Sequence, residues 1–153
     1  MIKWKEERLM ETDIETVWTL FSDEQIQNIM PKVKEHTLIH KEDGVVGSKY
    51  RQKYEEGKRV ETYTVHVLGY EETAEEKYLK LGFVLAKMFD ITFSFTLIKA
   101  AESQTVFIYE GRNKGVNFAG RTLLKLGGEK NNKKVVDDFM DTVQAEASKS
   151  AGQ

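Results

Sequence analysis

Glu6 and Arg8 are the first candidates for chemistry. Ile2 to Met10 alternates, with Lys3, Lys5, Glu7 and Glu11 on one parity and Ile2, Trp4, Glu6, Arg8 and Met10 on the other. Leu9 is the exception on the charged side. Period two is the signature of a strand, and the apolar parity should face inward. A carboxylate and a guanidinium on that side could move a proton or hold the polar end of a ligand. A buried charge is costly unless it is partnered. The two can therefore anchor a ligand, or they can pair with each other or a neighbouring strand, or lie at the wet open end of the sheet.

Aromatic residues repeat the pattern further along. Tyr50, Gln52 and Tyr54 alternate with Lys49, Arg51 and Lys53, and Tyr63, Phe93, Phe95, Phe107 and Tyr109 fall on matching parities of later strands. Alternating phenylalanine is ordinary core. Several tyrosines on the same face are different, because a buried phenol hydroxyl seeks a partner. A mainly apolar cavity with a few polar groups is how small-molecule sites are built.

Other chemistries find little support. His36 and His40 are four apart on a strand and His66 stands alone, whereas a metal needs three or four converging donors, so all three read as structural or surface residues and no metal site is expected. No Ser-His-Asp arrangement can be argued from them. The absence of cysteine removes disulfides, thiolate sites and thiol nucleophiles. The glycine loop Gly44–Gly47 has no Gly-Lys-Ser/Thr leading into a helix, so a turn is expected there and not a phosphate cradle. No catalytic residue and no cofactor is assigned.

The elements that must position these residues are mostly strands. After the first come two short helices. Thr12-x-x-Glu15 reads as a capping box for one, with Ile14, Val17, Trp18 and Phe21 as its apolar face, and Ser22-x-x-Gln25 as a box for the other, stopped by Pro31. Strands are then expected at Lys34–Lys41, Ser48–Tyr54, Val60–Tyr70, Lys77–Phe83, Asp90–Lys99 and Thr105–Arg112. Glu55-Glu56-Gly57-Lys58 reads as a hairpin turn. Short turns imply an antiparallel meander, curled enough to have an inside and an outside.

A C-terminal helix carries the apolar stripe Val135, Val136, Phe139, Met140, Val143 and Ala147. Traced backward in fours, the stripe reaches Asn131/Asn132, Gly127/Gly128 and Leu123/Leu124. If the helix is continuous from about Phe118, small and polar residues at Gly127, Gly128 and Asn131 leave room between helix and sheet. The alternative is a break at Gly127-Gly128, since each glycine costs roughly 1 kcal/mol inside a helix. The domain is expected to span 1–147, with a frayed tail at 148–153.

This order of elements resembles the helix-grip fold of the START-like (SRPBCC) superfamily, an α+β architecture with a curved antiparallel sheet of six to seven strands around a long C-terminal helix. Val17-Trp18 matches a frequent Val-Trp of the first helix, and Ser22-Asp23 the Ser/Thr-Asp that follows. Asn28 to Val33 is similar to the pollen-allergen segment closing the second helix, and Gly44–Gly47 sits at the glycine loop. Thr12-Asp13 stands where the family often has Ala-Pro, and Ile29 or Met30 where a tryptophan is common, so no subfamily is singled out. The resemblance implies a binding protein for a hydrophobic or amphipathic small molecule or lipid, held between sheet and C-terminal helix. Two other branches imply alternatives, a polyketide cyclase/aromatase-like enzyme or an interaction module like the chaperone activators.

Composition agrees with one domain of this kind. The chain has 153 residues, 40% hydrophobic, which suffices for a core. A net charge of −2 gives no general attraction to nucleic acid, and the Lys130–Lys134 cluster reads as a solvated helix face. The N-terminal segment is too charged for a secretory signal, and no run is long enough to span a membrane, so a cytoplasmic protein without stable membrane insertion is expected.

Overall fold

A computed structural model describes residues 1–151. All seven expected strands form, each within a few residues of its sequence-based limits: β1 (Ile2–Met10), β2 (Val33–His40), β3 (Lys49–Glu56), β4 (Arg59–Glu72), β5 (Glu76–Leu85), β6 (Phe89–Ala101) and β7 (Gln104–Gly115). They make one antiparallel sheet in the order β1-β7-β6-β5-β4-β3-β2. Strands β2 to β7 follow the meander, and β1 closes onto the last strand, with Glu6 opposite Tyr109 and Arg8 opposite Phe107.

The register puts Met10, Phe107, Leu97, Phe95, Leu81, Val67 and Val65 on one face, and all are nearly or fully buried. Helices α1 (Ile14–Thr19) and α2 (Ile26–Ile29) cover one end of this face with Ile14, Val17, Ile26 and Ile29. Phe21, in the turn between them, packs its ring 4.7 Å from that of Phe95. Lys77 is a buried charge on this face. Only 3% of its side chain is exposed, and its Nζ lies 2.8 Å from Glu15 of α1 and 4.0 Å from Glu72, so the charge is partnered at the core's edge.

Both expected capping boxes are corrected. Asp13, not Thr12, caps α1, accepting the Thr16 backbone N–H at 3.1 Å and its hydroxyl at 2.7 Å. Thr12 is buried instead, its hydroxyl donating to Ala147 O and its carbonyl accepting from Thr105. Ser22 donates back to Thr19 O, while its own carbonyl accepts the backbone N–H groups of Gln25 and Ile26, so its side chain caps nothing. The β2–β3 loop is a turn as expected, though a strained one: Val45, between Gly44 and Gly47, sits at φ +76 and packs on the core.

The C-terminal segment is two helices, α3 (Phe118–Lys125) and α4 (Gly128–Ala151). Gly127 at φ +84 lies outside helical geometry, and this decides between the two readings of that segment. Helix α4 buries Val136, Met140, Val143 and Ala147. Its main neighbours are β1, α1, α2 and α3. It runs to Ala151, through the first four residues of the expected tail, while 152–153 lie outside the described residues. Lys133 and Lys134 are exposed and pair along the helix with Asp137 and Asp138 at 2.8 Å.

Candidate functional site

The inner face of the sheet divides into a closed half and an open half. In the closed half Phe21, Phe95, Phe107 and Phe139 interlock, with ring centroids 4.7 to 6.3 Å apart. Phe139 reaches down from α4 and also meets Tyr109 at 4.7 Å. In the open half, Tyr54, Tyr63, Leu79, Phe83 and Ile91 are only half-buried. Tyr63 stacks on Phe83 at 4.3 Å, and Phe83 meets Phe93 edge-on. The result is an aromatic shelf spanning β3 to β6.

Its polar groups fall into two sets. Tyr50 and Tyr54 have committed hydroxyls, donating to Asp23 at 2.9 Å and to Glu56 at 2.6 Å. Burial and the Glu56 carboxylate push Tyr54 up to about 12. Tyr63 and Tyr109 have no such partner among the described residues. Burial, with a smaller contribution from Tyr54, pushes Tyr63 up to about 12, and burial alone raises Tyr109. Nearby, Trp4 Nε1 and Asn113 Oδ1 are buried without a hydrogen bond. The register explains their grouping. Trp4 lies opposite Gly111, which is flanked on the same face of β7 by Tyr109 and Asn113. The indole rests on Gly111, where an added Cβ would come within 2.3 Å of it. Residues bearing a donor, an acceptor and a phenol therefore share one face of the sheet around Gly111.

Several expected site residues stand elsewhere. Glu6 is exposed rather than enclosed. Arg8 donates to Asp141 at 2.7 Å and Gln144 at 3.1 Å, so its partners lie on α4 and not on a strand, and it serves as a clasp between helix and sheet. Phe95 and Phe107 are fully buried core. Asn131 is exposed. Gly127 and Gly128 do not open space over the middle of the sheet. They line a cleft of about 710 Å³ at the α3–α4 joint, with Met1, Ile2, Lys114, Arg121 and Lys125 among its other walls. A second hollow of about 420 Å³ lies between Gln27, Pro31, Val33 and Glu146. Neither hollow is lined by the tyrosines.

Gln52 belongs to a network that histidine spacing gave no reason to expect. It is buried, and its Nε2 lies 2.8 Å from His36 Nδ1. The His36 ring stacks on Tyr50 at 4.2 Å, and its Nε2 lies 3.6 Å from Asp23. His36 is thus the structural residue that was expected, though enclosed rather than on the surface, while exposed His40 sits 2.6 Å from Glu42. Burial lowers the His36 value against the opposing pull of Asp23. A lowered folded value means that the unfolded chain takes up the proton first. The stability is present above the ordinary value of 6.5 and is lost as pH falls through the lower folded value. The urea midpoint is expected to drop between about pH 7.5 and about pH 5.5, and His36→Phe, which keeps the stacking, should flatten that part of the profile.

A curved seven-stranded antiparallel sheet, two short helices after the first strand and a long C-terminal helix together define a helix-grip fold of the START-like kind. Among solved structures, a conserved protein from Geobacillus kaustophilus matches with a TM-score of 0.72 at 15% identity, covering 97% of each chain. A START superfamily protein from Mycobacterium smegmatis matches at 0.71 and 12% identity, over 96% of this chain and 97% of that one. The major latex-like protein 151 of Panax ginseng matches at 0.64 and 16% identity, over 98% and 97%. At such identities the likeness establishes the fold. No protein-family model and no curated protein matches the sequence.

Proposed function

We propose that this protein binds a mainly apolar small molecule carrying one or two polar groups, seated on the aromatic shelf between the sheet and α4. One observation carries the reading: Trp4 Nε1 and Asn113 Oδ1 are buried with no hydrogen-bond partner among the described residues, on the face of the sheet that also carries buried Tyr109. A buried polar atom without a partner costs about 1–3 kcal/mol, and a ligand offering one acceptor and one donor would recover it. The half-buried Tyr63, Phe83 and Ile91 would supply apolar contact area. The helix-grip fold of the similar structures supports the same reading.

Trp4 is the natural reporter. With Trp18→Phe removing the other indole, titration with fatty acids and polycyclic aromatic compounds should give a saturable blue shift. Asn113→Ala should weaken the best ligand about fivefold, the worth of one hydrogen bond of about 1 kcal/mol. An unsaturable response across the panel, together with native mass spectra showing only the bare chain, would overturn the proposal.

A further inference from the structure

The α3–α4 joint gathers exposed apolar side chains and cations on one surface. Phe118 and Leu126 are the two most exposed large apolar side chains among the described residues, at 79% and 74%. Leu123, Val116 and Met1 are exposed close by in the same region. Lys114, Arg121, Lys125 and Lys130 line the adjoining cleft of about 710 Å³, with Glu129 as its single acid. None of these four cations has an ion-pair partner among the described residues. Unpaired cations occur elsewhere on the surface too, but here four line one cleft beside the two most exposed apolar side chains. In a chain of net charge −2, this is a local concentration of free positive charge.

Helical geometry orders the two sets. Phe118, Thr122 and Leu126 follow each other at intervals of four, so they share one stripe of α3, and Arg121 and Lys125 form the stripe beside it. The opposite side holds buried Gly120, where a Cβ would meet Met88 O at 2.3 Å, and half-buried Leu124. The helix is therefore seated by its small side and presents apolar tips flanked by cations to solvent. Its closely fitted underside keeps that presentation rigid.

We propose that this face docks the protein on the surface of an anionic lipid bilayer. Phe118 and Leu126 enter the interfacial layer while Lys114, Arg121, Lys125 and Lys130 meet lipid phosphates and carboxylates. Basic residues flanking a few protruding apolar side chains are the elements of peripheral binding. A soluble anion would satisfy the cations and leave Phe118 and Leu126 in water. A second copy of the chain, docked through the same face on both sides, would set four cations against four more. The bilayer accommodates both sets of residues. Docking is peripheral in this proposal; among the described residues no helix is long and apolar enough to cross a membrane. It does not depend on the ligand reading, because it uses other residues and is assayed with no ligand added.

The test is co-sedimentation with vesicles of phosphatidylcholine alone and of phosphatidylcholine mixed with phosphatidylserine. Binding is expected to the mixed vesicles only, and it should weaken as salt is added. Each cation near such a surface is worth about fivefold in partitioning, so Arg121→Gln with Lys125→Gln should lower it about 25-fold. Phe118→Ser with Leu126→Ser should lower it about tenfold or more. All four side chains are exposed, so an unchanged Tm in the variants would show that the fold is intact. Absence of binding, equal binding to both vesicles, or wild-type binding by the charge variant would overturn the proposal. Saturable uptake of inorganic phosphate without vesicle binding would point to a soluble anion instead. Self-association abolished by Phe118→Ser, again without vesicle binding, would point to a second copy.

Discussion

Phe95→Ala is expected to remove about 3–5 kcal/mol of stability, the usual cost of deleting a fully enclosed phenylalanine. The ring is 0% exposed and lies within 6.3 Å, centroid to centroid, of Phe21, Phe93, Phe107, Tyr109 and Phe139. These neighbours come from β6, β7, α4 and the α1–α2 turn, so no single element can move to close the hole. Against a domain stability of about 5–15 kcal/mol, the loss is a large fraction of the whole. For a chain of this length it corresponds to a fall in Tm of about 6–20 °C. Urea unfolding should show a lower midpoint with an unchanged slope. Phe83→Ala, at the open shelf, is the control and should cost much less. Equal losses at the two positions would mean that the shelf is as tightly packed as the closed half.

Gly111→Ala is expected to couple stability to the site. A Cβ there would lie 2.3 Å from the Trp4 indole, 2.7 Å from Thr92 O and 2.8 Å from Phe93 Cβ. The indole must lift, and the Thr92 carbonyl of β6 must shift as well, at a cost to its pairing with β7. Overpacking of this kind costs about 1–3 kcal/mol. Lifting Trp4 also displaces its N–H from its buried position. The variant should therefore show red-shifted Trp4 emission in the Trp18→Phe background and lose ligand-induced quenching or shift together with stability. A destabilised variant that still gave the wild-type Trp4 spectrum would place the strain in the β6 backbone and separate Gly111 from the site.

Period-two alternation made the sheet legible, because a strand's inward and outward sides are written in adjacent residues. The register that brings Trp4, Tyr109 and Asn113 around Gly111 depends on which strand β1 pairs with, and alternation within β1 says nothing of its partner. The capping errors have the same origin. Thr12 satisfies the local rule for a cap, but its hydroxyl and carbonyl are taken by Ala147 and Thr105, far along the chain. Asp13, one residue on, then does the capping. Arg8, on the inward parity, needs a partner, yet Asp141 lies 133 positions away. At Gly127-Gly128 both readings were open in the sequence, and the positive φ of Gly127 settles them. His36 shows the converse. Its spacing from His40 pointed nowhere, and its role comes from Gln52, Tyr50 and Asp23, which spacing within one strand cannot reveal.

The pairing of β1 with β7 also constrains how the chain acquires its structure in time. The hairpins from β2 to β6 join strands adjacent in sequence, so each can form as soon as its second strand is available. Strand β1 is made first, but its partner is the last strand of the sheet. During synthesis Ile2, Trp4 and Met10 must wait in the open until Gly115 has left the ribosome, and the Arg8 clasp waits longer still, for Asp141. Closing so long a loop is entropically costly and slows the final step. The charged residues Lys3, Lys5, Glu6 and Glu7 interleaved with the apolar ones would keep the waiting strand from pairing with a neighbouring chain. The first strand of the sheet to be made is thus the last to be secured, and the Trp4 indole reports completion of the fold as well as, under the proposed function, occupancy.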